Sequence, residues 1–468
     1  MIERNVDVAI IGAGSAGLAA YRAAVEWTDR VLMIEGGPYG TTCARVGCMP
    51  SKLLIAAAEA AHAVTEAPAF GVTANGPQVD GKAVMARVRS ERDRFVGFVV
   101  ESVENIPEKH RMRGFARFLD DQRLVIDDST VVNAKRIVIA TGSSPSYPPF
   151  LAELGDRLLV NDDIFDWQDL PRRVGVFGPG VIGLELGQAL HRLGVEVLMF
   201  GLGNLVGPLT DQKVRDAARA IFAEEFYLDA DAHVRSVQRT RDGVAIDHVD
   251  LNGNDVTTDV DFVVAATGRR PNVDQLGLEN TTLPLDARGV PLFDNETLRV
   301  GNTPVFIAGD ATHDKPLLHE AADEGRIAGS NAGRYPDVQR GLRRSELGVV
   351  FSDPQIAMVG SSYASLNPND IVIGEVSFQN QGRSRVMLKN RGMLRVYAEK
   401  RSGHFLGAEM VGPRAEHIAH LLAWSHQSHM TISQMLAMPF YHPVIEEGLR
   451  TALRDACHHL SDCALKAA

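Results

Sequence analysis

Apolar residues recur along this chain in two rhythms. Short β-branched runs alternate with longer stretches of helical spacing, and the order of the two predicts the architecture. Residues 6–11 form a β-branched, apolar run, as expected of a strand buried on both faces of a parallel sheet. A helix follows over 18–26 and a second strand over 31–34. A charged helical region at 84–105 leads to strand-like patches at 114–119 and 124–126, and then to a strand from 136 that ends in Ala140-Thr141-Gly142. Residues 145–149 read as a linker. The pattern then restarts with a strand at 174–177, a helix to 193 and a strand at 195–200. It closes in Ala266-Thr267-Gly268, an echo of the first closing turn that suggests two copies of one domain plan. Another buried strand over 303–308 ends in Gly309-Asp310. From about 345 the pattern changes to alternating strands, including 395–398 and 405–411, followed by helices over 416–428 and 432–437. The prediction is an α/β protein with two Rossmann-like dinucleotide-binding domains and a C-terminal α+β domain.

The turns between these elements carry chemistry. Gly12-Ala13-Gly14-Ser15-Ala16-Gly17 directly follows the first strand, and its glycines permit a tight turn, close approach of a pyrophosphate and close helix packing. Glu35 ends the second strand at the spacing where a carboxylate can accept hydrogen bonds from an adenosine ribose. The second copy, Gly178-Pro179-Gly180-Val181-Ile182-Gly183, is equally complete. Here Gly201 occupies the expected acidic position, and residues 202–208 hold no arginine cluster for a 2′-phosphate. NAD is the expected second nucleotide, with NADP left open. Asp310 is placed to accept a hydrogen bond from a ribityl or ribose hydroxyl; its bland role is to cap the next helix.

Length and charge narrow the class. At about 150 residues per domain, 468 residues make about three domains. The 45% hydrophobic and 23% charged composition is that of an ordinary globular chain, and a net charge of −11 disfavours nucleic acid as a general partner. The N-terminus lacks the pattern of a signal peptide and no apolar run is long enough to span a membrane, so no membrane partner is expected. Four cysteines are too few for a disulfide scaffold, and cytoplasmic residence is the expectation.

Two of those cysteines sit in Thr42-Cys43-Ala44-Arg45-Val46-Gly47-Cys48-Met49-Pro50-Ser51-Lys52. A regular helix would hold residues five apart on different sides and too far apart for a bond, so a redox disulfide here needs irregular backbone, which Gly47 can supply. Pro50 would then lie in the first turn of a helix over 53–63, leaving Cys48 near a helix N-terminus, where a thiolate is stabilised. Ordinary buried thiols are the alternative. The two neighbouring nucleotide fingerprints favour a redox pair.

The whole chain resembles the class I pyridine nucleotide-disulfide oxidoreductases, dihydrolipoamide dehydrogenase most closely. The likeness is carried by GAGSAG with Glu35, TTCARVGCMPSK, the first ATG, GPGVIGLE, ATGRRPN, AGD and the terminal HPVIEE. It implies an FAD domain over residues 1–147, an NAD(P) domain over 148–272, a central domain over 273–344 that completes the FAD site and an interface domain over 345–468 in a homodimer. It further implies that Cys43 exchanges with the substrate sulfur and that Cys48 faces the flavin. His442 would be the acid-base and Glu447 its orienting carboxylate, reaching the cysteines across the dimer interface, while Lys52 and Glu185 would form an ion pair beside the flavin. FAD would be held by Gly12, Gly14, Ser15, Ala16, Gly17, Glu35, Thr42, Lys52, Ala116, Ala140, Thr141, Gly142, Gly309, Asp310 and Leu318. The nicotinamide nucleotide would be held by Gly178, Gly180, Val181, Ile182, Gly183, Glu185, Gly201 and Gly268. The implied reaction passes electrons from a lipoyl dithiol through Cys43 and Cys48 and FAD to NAD, with a lipoyl-bearing protein of a 2-oxo acid dehydrogenase or related complex as partner. The alternatives are an NAD(P)H-dependent reductase of another disulfide or of mercuric ion and, in a different class, a redox-sensing flavoprotein without turnover. The His-Glu pair argues against the sensor, because sensing needs no general acid.

Two departures stand out: Phe440 replaces the first histidine of the usual HxHP, and Gly201 replaces the ribose-binding glutamate. Cys457 and Cys463, beside His458 and His459, match neither the C-terminal thiols of mercuric reductases nor those of thioredoxin reductases. No catalytic or metal role is expected of them, and no metal site is expected elsewhere.

Overall fold

The computed structural model describes residues 2–461 and 463. The chain divides into two units, each assembled from separated stretches. One gathers the chain through Leu53 with Ala86–Ser146 and Gly268–Arg343, and the other gathers Leu54–Met85, Tyr147–Thr267 and the chain from Arg344.

In the first unit, strands Ile2–Ile11 and Thr130–Ile139 run parallel at the centre of a seven-stranded sheet, and Val31–Glu35 flanks Ile2–Ile11 on its other side. Ile11 pairs in register with both Ile34 and Ile139, so three buried strands end at one level and their turns converge there. Val305–Ile307 adds parallel to Thr130–Ile139, bringing Gly309 to the same edge. On one face, helix Ser15–Ala24 packs on helix Leu318–Arg334 at backbone distance: a Cβ on Gly325 would lie 2.2 Å from the Ala16 carbonyl oxygen, and one on Gly329 2.2 Å from that of Ala20. The other face buries Ala9, Ile11, Leu32, Ile34, Ile137 and Ile139 against Val273, Leu276 and Leu278.

The second unit repeats the parallel plan. Arg173–Phe177 lies between Glu196–Phe200 and Phe262–Ala265, with Tyr227–Asp229 and Leu158–Leu159 at the edges. A three-stranded antiparallel sheet, Val234–Arg239, Val244–Val249 and Asp255–Val260, covers it through Val244, Ile246 and Val260. The same unit carries a five-stranded antiparallel sheet from Leu347–Val350 to Ile371–Ser377, whose apolar face is buried under helices Ala415–Gln427 and Glu447–His459. The fold is thus the expected two Rossmann-like domains with a C-terminal α+β domain. Among the described residues, no helix is long and apolar enough to cross a membrane.

Three local differences bear on the site and its flanks. The helix expected over 53–63 runs over Cys48–Glu66, so Cys48 is its first residue. The linker expected at 145–149 is found at 146–148, with Pro145 ending strand Ser143–Pro145 and Pro149 starting helix Pro149–Ala152. The backbone N–H groups at the start of Leu318–Arg334 receive no cap from Asp310, because the helix begins eight residues later, after Leu317.

Candidate active site

Both fingerprint turns are shaped by contacts that only glycine allows. Gly12 has φ +111°, and a Cβ there would lie 2.3 Å from the Ala140 carbonyl oxygen; Gly178 has φ +104° and a Cβ would lie 2.5 Å from that of Ala266. At Gly17 and Gly183 a Cβ would strike the carbonyl oxygens of Gly12 and Gly178, both at 1.9 Å. Around Gly14 and Gly180, by contrast, nothing lies within 4 Å of a Cβ. Each helix therefore starts behind an open glycine with no side-chain cap, the arrangement that lets a pyrophosphate approach the free N–H groups. Ser15, Ala16, Val181 and Ile182 form the first turns of these two helices. Glu35 secures the first turn, its two oxygens accepting from Ala13 N (2.8 Å) and Gly37 N (2.7 Å).

Ala140, Thr141 and Gly142 close the first copy beside Asp310. Ser143 Oγ donates to Asp310 Oδ2 at 2.7 Å, and Arg269 grips Ser143 through both Nε to Oγ (2.8 Å) and Nη2 to its carbonyl oxygen (2.7 Å). Asn272 Nδ2 donates to the Thr141 carbonyl oxygen at 3.0 Å. The Thr141 hydroxyl is buried without a hydrogen-bond partner among the described residues. A buried polar atom left so, beside a glycine cradle and an open helix start, fits a bound dinucleotide such as FAD. Arg269 and Asn272 are bracing residues that sequence reasoning missed. The RRPN run was visible, but the turn on which it closes lies more than 120 residues away, with |i−j| of 126 and 131 for the two contacts. Glu324, also missed, is fully buried and accepts from Gly309 N (2.8 Å); burial pushes its carboxyl up to about 7 despite the Arg343 guanidinium 2.9 Å away. Ala116 is buried at the start of strand Ala116–Asp120, and Leu318 is exposed at the start of its helix.

The cysteine segment is irregular where expected. Helix Thr42–Val46 breaks at Gly47, where a Cβ would lie 3.1 Å from the Thr42 carbonyl oxygen and 3.2 Å from Cys43 Cα. Thr41, a β-branched residue at φ +58°, starts the segment in a strained backbone state and accepts from Ala44 N at 3.3 Å. Cys43 and Cys48 are two free thiols, Cys43 half-buried and Cys48 exposed; the bridge expected from the sequence is the oxidised form of this pair. They are hydrogen-bonded to each other. That bond, and then burial, pushes the Cys43 thiol well above the ordinary thiol range. Lys52 Nζ lies 3.4 Å from Ser51 Oγ, which itself donates to the Cys48 carbonyl oxygen.

In the second unit, Glu447 opens helix Glu447–His459 and faces back on the preceding loop. His442 Nδ1 meets both its oxygens, at 2.9 and 3.1 Å, and Val444 N donates to Oε2 at 3.2 Å. These contacts, the histidine bond first, hold the Glu447 carboxyl below its usual range. The imidazole is 81% exposed in the single chain, so its Nε2 edge is accessible. Glu185 is buried and accepts from Phe351 N at 3.0 Å. Three residues on, Gln188 exchanges hydrogen bonds with the backbone N and O of Asp353, both 2.8 Å, which fixes the segment that Glu185 meets.

Cys457 and Cys463 are buried in the C-terminal core and bonded to each other, with Cα atoms 5.5 Å apart. The described residues hold no group of three or more metal-ligating side chains.

The profile of the pyridine nucleotide-disulphide oxidoreductases matches residues 6–325, and that of the same group's dimerisation domain matches residues 347–453. A mercuric reductase of Shigella flexneri is 30% identical over 463 residues, 96% of this chain and 80% of that protein. A dihydrolipoyl dehydrogenase of Bacillus subtilis is 29% identical over 463 residues, covering 96% and 98%. The crystal structure of LpdA from Mycobacterium tuberculosis superposes with a TM-score of 0.80 at 25% identity, covering 96% of this chain and 99% of that one.

Proposed function

The chain belongs to the pyridine nucleotide-disulphide oxidoreductase family, flavoproteins that use FAD with NAD(P)H, and we propose that within it this protein is a dihydrolipoyl dehydrogenase acting as a homodimer. The observation that supports this reading best is the His442–Glu447 pair. Exchange between a dithiol and a disulfide moves a proton on and off sulfur at every step, and so needs a placed base near neutral pH. With Nδ1–H donated to the Glu447 carboxylate, Nε2 is the nitrogen that takes a proton, and the carboxylate stabilises the imidazolium that results.

In this reading a substrate thiolate, deprotonated by His442 of the partner subunit, attacks Cys43 Sγ of the oxidised pair and releases Cys48 as a thiolate. The second substrate thiol then displaces Cys43, leaving a cyclic substrate disulfide and the enzyme dithiol. In the reduced pair the bond between the two sulfurs holds the Cys43 proton, and the start of the 19-residue helix at Cys48 favours a thiolate there. FAD, when bound, supplies the two-electron transfer between that dithiol and the nicotinamide. The residues that would hold it are Gly12, Gly14, Gly17, Glu35, Thr141 and Asp310, with Lys52 and Glu185 in the family's flavin-side roles. The substrate arm would belong to a lipoyl-bearing protein.

A reductase of another disulfide or of mercuric ion is the second reading, favoured by the equal similarity to the Shigella enzyme. Anaerobic titration of the yellow holoenzyme, followed by comparative turnover, separates the two. Rapid reduction by dihydrolipoamide with NAD turnover is expected. Turnover of mercuric ion or glutathione disulfide with NADPH and indifference to dihydrolipoamide would remove the proposal.

A further inference from the structure

The two phosphate turns occupy equivalent places, and this equivalence identifies Gly201 as the counterpart of Glu35. Gly12 N donates to the Ile34 carbonyl oxygen at 2.8 Å, and Gly178 N to that of Phe200 at 2.8 Å. The next residues are Glu35 and Gly201. Likewise Ala13 corresponds to Pro179. In the first turn Ala13 N is what holds the Glu35 carboxylate in place. In the second turn proline has no N–H to offer. Its ring also fills the space: a Cβ on Gly201 would lie 2.8 Å from Pro179 Cγ, 2.8 Å from the Ala230 carbonyl oxygen and 3.0 Å from Ala230 Cα. Gly201 is itself bound on both sides to that segment, its N–H donating to Asp229 O (2.7 Å) and its carbonyl accepting from Ala232 N (3.0 Å). Pro179 and Gly201 thus exclude the acid together.

Nothing replaces it with the opposite charge. Residues 201–210 contain no charged side chain. The loop folds back on the fingerprint through Gly207 N to Pro179 O (2.7 Å) and Asn204 N to Ala230 O (3.1 Å), and it presents Leu202 (75% exposed) and Leu205 (55% exposed) to solvent. The charged groups that do touch it are engaged: Glu409 accepts from Thr210 N at the far end of the loop at 2.8 Å. Asp231 accepts from Gly203 N at 2.7 Å, and Arg219 bonds Asn204 Oδ1 at 2.7 Å while pairing with Asp216 at 3.3 Å.

We propose that the second dinucleotide site does not read the 2′ position of the adenosine ribose, so that the protein uses NAD(H) and NADP(H) with comparable efficiency; this rests on the nucleotide role assigned above to the second fingerprint. Discrimination against a missing or added group arises when a site holds polar partners that the wrong ligand leaves unpaired. This site has no carboxylate at the strand end to pair with the ribose hydroxyls, where Glu35 stands in the first copy; the Asp231 carboxylate is turned to Gly203 N, and the Arg219 cation is committed to Asn204 and Asp216.

The test measures binding of two adenosine fragments to the holoenzyme by calorimetry, alongside steady-state kinetics. The dissociation constants of 5′-AMP and 2′,5′-ADP are expected to lie within about tenfold of each other, as are kcat/KM for the two reduced dinucleotides. A preference of about a hundredfold or more for either overturns the proposal. Arg219→Ala is expected to leave the fragment ratio unchanged; selective loss of 2′,5′-ADP binding would show that Arg219 reads the phosphate and would overturn it. Leu202→Arg places a cation on the exposed rim and is expected to shift the ratio about tenfold toward 2′,5′-ADP, and no shift would show that the loop does not border the 2′ carbon. Equal fragment binding without turnover of a lipoyl dithiol supports this inference while removing the substrate assignment. Failure of both fragments to bind removes the site and the inference with it.

Discussion

The chain carries two cysteine pairs of nearly the same spacing, Cys43 with Cys48 and Cys457 with Cys463, in opposite surroundings. The first has an irregular break at Gly47, an exposed sulfur at the start of a long helix and two free thiols. The second lies in an apolar core with both sulfurs buried and bonded, one of them 3.2 Å from Ser433 Oγ. Spacing alone does not separate a redox centre from a staple. Exposure, a helix start and a proton partner do, because reactivity belongs to an accessible thiolate.

The largest expected contrast lies in turnover. Cys48→Ser is expected to lower dithiol-dependent turnover by more than about a thousandfold, whereas the double replacement Cys457→Ser/Cys463→Ser leaves it unchanged; a catalytic loss in the double variant would erase the distinction. His442→Ala is expected to slow thiol exchange by about a hundredfold to ten-thousandfold, measured by stopped-flow reduction with dihydrolipoamide. A normal rate would take His442 out of the proton path. Glu447→Gln keeps the ring but removes its charge partner, for an expected loss of about tenfold in the same stopped-flow measurement; an unchanged rate would take Glu447 out of the orienting role.

Alkylation sharpens the contrast within the first pair. Because the bond to Cys48 holds the Cys43 thiol above the ordinary range, iodoacetamide at neutral pH should label Cys48 first, and Cys43 only as pH rises past that range. In Cys48→Ser the acceptor charge is gone, so labelling of Cys43 should begin at lower pH. Peptide mass spectrometry that found Cys43 labelled first in the parent protein would place the thiolate on Cys43 instead. Cys457 and Cys463 should label only after reduction and unfolding. The smallest effect concerns stability: opening that second bridge is expected to cost about 2 kcal/mol for so short a loop, read as a lower midpoint in denaturant for the double variant.

The local parts of the site were legible along the chain because their physics is local. Gly17 closes on the Gly12 carbonyl within its own strand–turn–helix, and His442 and Glu447 lie five residues apart across one loop. The expected start of the cysteine helix was five residues late, since Pro50 fits the first turn of either helix. The expected bridge is present as free thiols, because spacing specifies proximity and not oxidation state.

Contacts between distant segments were not legible. A missing glutamate at 201 looked like a gap in a motif. In the folded chain the Ala230 backbone and the Pro179 ring occupy the space that such a side chain would need. Arg269 closing on Ser143, Glu324 under Gly309 and Gln188 stitched to Asp353 have the same character: each joins two residues whose pairing leaves no periodic trace in either segment. Fold class and the phosphate turns therefore follow from hydrophobic period and backbone sterics within short stretches. The bracing of the turns, the burial of the second cysteine pair and the closing of the 2′ position depend on which remote surfaces packing brings together, and only the tertiary structure specifies that.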